Sequence, residues 1–226
     1  MSKPCKIYVV ASTGGSVLRS CLQNAMVQKN IAAVISDRKC GALDVASDYQ
    51  IQSICYDEKS AHVFSDMLLD LFKKEKPDLI VLFYTKILKG SLVDEFYGKI
   101  VNFHPSLLPA CPGQRGFEDS VEFGSKFIGS TSHLVIHDVD AGFPIQQAAF
   151  PNNPSISLAK RRHIIFLSQC AMLIQLIDWI ERGKYYVNPH DGRPSIADCS
   201  YGDFCFSPKL ECLDALSFYE QILRVK

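Results

Sequence analysis

Short β-branched runs alternate with stretches of helical apolar spacing through the first half of the chain. Lys6 to Ala11 (KIYVVA) is the first run; it ends in Ser12-Thr13-Gly14-Gly15-Ser16, and a helix-like stretch follows. Ile31 to Ser36 (IAAVIS) reads as the next strand, its unbroken apolar character suiting a parallel strand covered on both faces. Ala42 to Tyr49 predicts a short helix and Gln52 to Tyr56 a third strand. Ser60 to Lys74 carries Val63, Met67, Leu68, Leu71 and Phe72 on an amphipathic helix. Its Lys73-Lys74-Glu75-Lys76 end places cations where the helix dipole favours them, and Pro77 stops it. Asp78 to Phe83 is a fourth buried strand, a helix near Gly90 to Tyr97 follows, and Lys99 to Phe103 is the fifth strand.

The pattern then changes. Ser130 to Ile136 and Ile145 to Phe150 are strand-like with little helix between them, and Ser155 to Arg182 is a long apolar-striped helix closed by Gly183. Tyr185 to Pro208 is rich in aromatics, Gly, Pro and Asp without periodicity, and reads as loops and short strands. The fold class expected is α/β: a doubly wound, mostly parallel Rossmann-like sheet with an antiparallel extension. Residues 1–184 form the body, and residues 185–226 are an extension packed on the same domain. Tyr185, Tyr186, His190, Tyr201, Phe204 and Phe206 in that extension suit a lid, a satellite core or a dimer contact, and a homo-oligomer is left open.

Composition narrows the partners. The 226 residues balance to a net charge of zero, which gives no reason to expect nucleic acid or an anionic membrane. No stretch approaches the roughly 20 apolar residues of a membrane span, and the apolar run near the N-terminus is short for a signal segment. The nine cysteines are scattered, with no C-x-x-C pair, so no metal site is expected and reduced thiols in the cytoplasm are.

Candidate chemistry concentrates after the fifth strand, in Asn102-Phe103-His104-Pro105-Ser106-Leu107-Leu108-Pro109. Ligands of open α/β sheets bind beyond the carboxyl ends of the strands. Asn102 and His104 lie two apart, so an extended backbone sends both side chains to one side. A carboxamide donor beside an imidazole suits acyl transfer, one stabilising an oxyanion and the other supplying a proton; a polar turn at a strand end has the same composition. The second candidate is His133 to Gly142, a strand running into the acidic loop His137-Asp138-Val139-Asp140. An Asp there would face His104 and favour its protonated form; an acidic connecting turn is the alternative.

Together these motifs resemble the folate-dependent formyltransferase family, most of all its purine-synthesis branch, which formylates glycinamide ribonucleotide. The matches are Asn102, His104 to Pro109, Gly113, Gly129-Ser130-Thr131-Ser132-His133 and Asp140-Ala141-Gly142, and the alternation of elements is similar from about Lys6 to Lys184. The resemblance implies a formyl transfer from 10-formyltetrahydrofolate to a phosphorylated primary amine. Asn102, His104 and Asp140 would be catalytic. Thr85, Lys86, Ile87 and Leu88, with His137, Asp138 and Val139, would hold the folate, although Ile87 and Leu88 equally suit core packing. Gly14, Gly15 and Ser16 would hold the acceptor's phosphate.

Departures fall mostly at the acceptor. Val17 stands where the family has a polar Asn, and Glu58-Lys59-Ser60-Ala61-His62 lacks the Arg that usually follows the third strand. Gln169-Cys170 falls where a substrate-binding Glu is usual, and Phe143 is an insertion before Pro144. A 10-formyltetrahydrofolate hydrolase, with water in place of the amine, and a catalytically idle folate-binding relative are the competing readings.

Overall fold

In the computed structural model, which describes residues 4–202 and 205–225, the chain forms two compact units. The first runs through Asn102 and includes Leu134–Val139; the second holds Phe103–His133 and the chain from Asp140 onward. The 185–226 segment thus belongs to the second unit, along with much of the segment expected as the body.

The first unit is built on parallel strands. β1 (Ile7–Ala11) pairs with β2 (Ile31–Ser36) on one side and β4 (Leu79–Phe83) on the other. β3 (Gln52–Cys55) flanks β2, and β5 (Ile100–His104) flanks β4 through Ile100–Asn102 before carrying Phe103 and His104 into the second unit. The order β5-β4-β1-β2-β3 is that of a doubly wound sheet, with its ligand crevice beyond the carboxyl ends. Every residue of β1 is buried, as an apolar strand covered on both faces requires.

Helices α1 (Ser16–Cys21), α2 (Ala25–Asn30), α3 (Gly41–Asp48), α4 (Ala61–Glu75) and α5 (Leu92–Glu95) connect these strands. Ser60 caps α4 by accepting the Val63 N–H at 3.3 Å. Lys76 ends it in the left-handed region ahead of Pro77. The apolar face of α4 differs from the expected one. Phe64, Leu68 and Phe72 face the core, whereas Val63 and Met67 are exposed. Edge contacts of Phe64 with Tyr56 and of Phe72 with Tyr8 and Phe96 decide the rotation of the helix.

The second unit carries the antiparallel strands. β6 (Phe127–Leu134) pairs with β7 (Pro144–Pro151), and β7 with β10 (Phe206–Ser207). α6 (Gly116–Glu122) precedes them, and α7 (Leu158–Glu181) follows. β8 (Tyr185–Val187) and β9 (Pro194–Ile196) make a separate hairpin, and α8 (Leu213–Leu223) packs on α7. Parallel α/β strands followed by an antiparallel set are the architecture that the hydrophobic pattern predicts.

Contrary to the expectation from composition, α7 is long and apolar enough to cross a membrane, by length and composition only. It is buried along most of that stretch, the behaviour of a core helix. Its buried Gln175 fastens the start of α8, since the side-chain oxygen accepts the N–H groups of Glu211 and Cys212 at 2.6 and 2.8 Å. Of the C-terminal aromatics, Phe206 is core, edge-on to Phe150 and Tyr219, whereas Tyr186 and Tyr201 are exposed; Phe204 lies outside the described residues.

Gly129 on β6 is required by close packing. A Cβ there would sit 2.1 Å from the carbonyl oxygen of Ala148 and 2.5 Å from Leu107. Gly129→Ala is expected to destabilise the fold by about 3 kcal/mol, because backbone must move to admit the methyl group. A urea midpoint equal to that of the wild type contradicts this packing.

Candidate active site

His104 ends β5 with its ring almost wholly buried. The chain after it is braced by side chains of the antiparallel strands. Thr131 Oγ1 donates to the Ser106 carbonyl at 2.8 Å and accepts the Leu108 N–H and the Gln147 amide, each at 3.1 Å. Gln147 also donates to the Leu108 carbonyl at 2.8 Å. Ser106 Oγ turns back onto the carbonyls of Ala110 and Cys111, at 2.7 and 3.1 Å. The hydroxyls of the Gly129–His133 stretch therefore serve as struts: Thr131 holds the loop, and Ser130 ties β6 to Ser168 of α7 at 2.7 Å.

Asp140 faces this histidine. Its Oδ2 lies 3.3 Å from His104 Nδ1 and accepts the Gly113 N–H at 2.7 Å; its Oδ1 lies 3.5 Å from His133 Nε2. The other ring nitrogen of His104, Nε2, is 2.8 Å from the Cys111 carbonyl oxygen. Both nitrogens thus face oxygen acceptors, a pattern satisfied in full when each carries a proton. Burial, the largest single influence on Asp140, pushes its carboxyl up. The hydrogen bonds from His133 and Gly113 and the charges of both histidines together outweigh it and hold the carboxyl below the usual range.

The register of the antiparallel pair changes close to Phe143. Between Ser132 and His133 the β6–β7 register shifts: Ser132 pairs with Gln146 but His133 with Pro144, which leaves Ile145 as a bulge beside His133. Phe143 itself lies under the Arg193 guanidinium, 5.3 Å from ring centre to carbon.

The other expected site residues divide. Asn102 is half-buried on β5, two residues before His104 and paired with Leu82 of β4. Thr85 shares a 3.0 Å hydrogen bond with Ser12, Lys86 is ion-paired to Asp37, and Ile87 is exposed. Leu88 is buried in the first unit's apolar core, so its side chain takes the packing alternative. His137 pairs with Asp94 at the surface, while Asp138 and Val139 are exposed. Gly14 is open, and Ser16 is the exposed first residue of α1. Gly15, in the left-handed region, is explained by packing: a Cβ there would come within 2.8 Å of the Ala42 backbone. Gln169 donates to the Phe103 carbonyl at 3.2 Å.

The chain that builds this site is similar to known proteins. The family model described as "Formyl transferase" matches residues 5–161. The chain belongs to the formyl transferase family. The phosphoribosylglycinamide formyltransferase of Mycobacterium tuberculosis (strain CDC 1551 / Oshkosh) is 33% identical over 156 residues, spanning 66% of this chain and 73% of that protein. The solved structure of glycinamide ribonucleotide transformylase 1 from Symbiobacterium toebii superposes with a TM-score of 0.77 at 27% identity, covering 86% of this chain and 95% of that one. A formyltetrahydrofolate deformylase from Pseudomonas syringae pv. tomato shares the fold, with a TM-score of 0.74 at 21% identity over 86% of this chain and 66% of its own.

Within this formyltransferase, sequence reasoning missed three neighbours of the catalytic candidates. His133 and Gly113 both hold Asp140, and both stand inside the matched motifs without a role assigned to them. Gly116 is the third: a Cβ there would lie 2.4 Å from His104 Nε2. Only the folded chain brings these residues to the ring, so spacing along the sequence carries no signal of them.

The lowered carboxyl of Asp140 fixes the sign of an acid effect. A group depressed in the folded state contributes stability above its ordinary value, 3.8, and loses that contribution as pH falls through the lowered one. Asp140→Asn is expected to flatten the acid limb of stability against pH, measured by urea unfolding in steps from neutral to strongly acid solution. An acid limb identical to that of the wild type counts against the pairing.

Proposed function

We propose that the chain transfers the formyl group of 10-formyltetrahydrofolate to a primary amine, glycinamide ribonucleotide or another phosphorylated amine. The observation that carries this reading is the buried His104–Asp140 pair, 3.3 Å apart and joined by His133 and Gly113 on the same carboxylate. When bound, the folate supplies an activated formyl carbon. His104 offers its Nε2 proton to the oxygen on which negative charge develops, and Asn102 adds a carboxamide donor from the same strand. Asp140 keeps the ring oriented and accepts through water the proton released by the amine, and a proton is returned to the folate nitrogen as its bond to the formyl carbon breaks. Exclusion of solvent strengthens each interaction, and His104 is 3% exposed.

The residues present suit the folate. Ile87 and Val139 are large apolar side chains left exposed, at 44% and 49%, and suit the face of a pterin ring. Thr85, Lys86, His137 and Asp138 supply polar groups on the same two segments. The acceptor's phosphate is assigned to the loop Gly14-Gly15-Ser16, where a Cβ added at Gly14 would meet nothing within 4 Å. The nine reduced cysteines suit a reducing cytoplasm.

His104→Ala and Asp140→Asn are each expected to lower formyl transfer by on the order of a thousandfold or more, through loss of a transition-state donor and of its orientation. Tetrahydrofolate binding, read by calorimetry, is expected to persist in both. Near-normal turnover in either variant would sink the assigned chemistry.

A further inference from the structure

Asp140, the carboxylate on which His104 and His133 converge, sits in the left-handed region of the backbone, at φ 52°. A residue other than glycine keeps that conformation where its surroundings enforce it. Part of the enforcement is visible in the second unit. The segment Asp140–Pro144 begins and ends on His133: the Asp140 carboxylate lies 3.5 Å from the ring, and Pro144 pairs with His133 in the β6–β7 ladder. Ala141 and Gly142 supply almost no side chain with which to hold the span, so its anchor is Phe143, a large apolar group left 38% exposed.

Phe143 is covered from a distant part of the chain. The Arg193 guanidinium carbon stands 5.3 Å from the centre of its ring, within the range of a cation–π contact. Arg193 belongs to the turn that joins β8 to β9, and that turn is closely tied. The Asn188 N–H donates to the Arg193 carbonyl at 2.8 Å, and the Arg193 N–H donates to Asp191 Oδ1 at 3.0 Å. Asn188 Oδ1 accepts the His190 N–H at 2.9 Å, and the Gly192 N–H donates to the Asn188 carbonyl at 2.9 Å. Asp191 Oδ2 stands 3.8 Å from Arg193 Nε, so a carboxylate and a ring both act on the guanidinium. The hairpin is anchored in turn: β9 packs on β7, and the Ala197 N–H donates to the Lys184 carbonyl at 2.9 Å. All of it lies beyond residues 5–161, the part matched by the formyl transferase model.

We propose that Arg193 is a positioning residue for formyl transfer, acting through Phe143 to hold the Asp140–Pro144 segment and with it the carboxylate shared by His104 and His133. The inference rests on the formyl-transfer reading. Arg193 touches no reacting atom in this role. Its effect is on where Asp140 stands, and so falls on turnover rather than on the binding of either substrate. A cation–π contact at an exposed site shifts an equilibrium by roughly two- to fivefold, which sets the scale of the effect.

The test is a double-mutant cycle in the full chain, with Arg193→Ala, Phe143→Leu and the two combined, and with Arg193→Lys as the conservative variant. Formyl transfer from 10-formyltetrahydrofolate to glycinamide ribonucleotide is followed in each. Arg193→Ala is expected to lower kcat by roughly two- to fivefold with both KM values unchanged. Phe143→Leu is expected to lower kcat comparably, the combined variant no further than the worse single one, and Arg193→Lys to recover most of the loss. An unchanged kcat in Arg193→Ala overturns the proposal, as do losses that multiply in the combined variant. A change confined to KM also overturns it, since Arg193 is then a ligand contact. A second readout needs no substrate: the ring-proton NMR signals of His104 and His133, assigned through single-histidine variants. They are expected to move in Arg193→Ala and to return toward the wild type in Arg193→Lys; signals identical to those of the wild type overturn the proposal. A wild type that transfers no formyl group to the amine refutes the formyl-transfer reading for that acceptor instead, and the NMR signals then decide whether Arg193 holds Asp140.

Discussion

Placing an ionised carboxylate out of water costs several kcal/mol unless donors replace the lost hydration. At Asp140 the replacement comes from the Gly113 N–H and the rings of His104 and His133, and each of these groups is fixed by a different part of the second unit. The dependence runs in both directions. Asp140 needs its donors to stay ionised, and the donors are aimed by the loop and bulge that keep Asp140 in place. Thr131, Gln147 and Ser106 hold the loop, the register shifts beside His133, and Gly116 leaves room for the His104 ring. The chemistry of the site is a by-product of solving one burial problem.

The first unit solves the same problem at Asp37 with a different result. There the donors are charged and partly exposed, so satisfying the carboxylate leaves a surplus of positive charge at the surface. In the second unit the donors are imidazoles and a main-chain amide. One buried carboxylate is thus held by imidazoles and an amide, the other by charged side chains and a phenol.

Strands were legible in the sequence because burial on both faces leaves an unbroken apolar run. β2 has the bounds that its residues predict, β1 and β4 start one residue later, and β5 is shifted by one residue at both ends. Helical faces were less so. On α4, Val63 and Phe64 are neighbours of similar hydropathy, and only the ring contacts of Phe64 decide which one turns inward. α2, α6 and α8 are short and were not foreseen, although Asn24 before α2 is an N-cap readable in advance, accepting from Met26 and Val27. In the site, Asn102, His104 and Asp140 were singled out from residue type and motif, and the last two lie 3.3 Å apart. His133, Gly116 and Asp37 were not, because their significance lies in what long-range folding brings beside them. The same holds for Lys86, expected among the folate contacts and found with its ammonium on Asp37.

His104 and Asp140 are proposed to promote direct transfer of a formyl group from the folate to an amine. The most direct measurement is the rate at which the wild-type chain forms tetrahydrofolate from 10-formyltetrahydrofolate, with glycinamide ribonucleotide and in buffer alone. A formyltransferase of this kind predicts turnover that rises with the amine and saturates, with the formyl group recovered on the amine. Formate released at the same rate with and without the amine would contradict transfer and identify water as the acceptor.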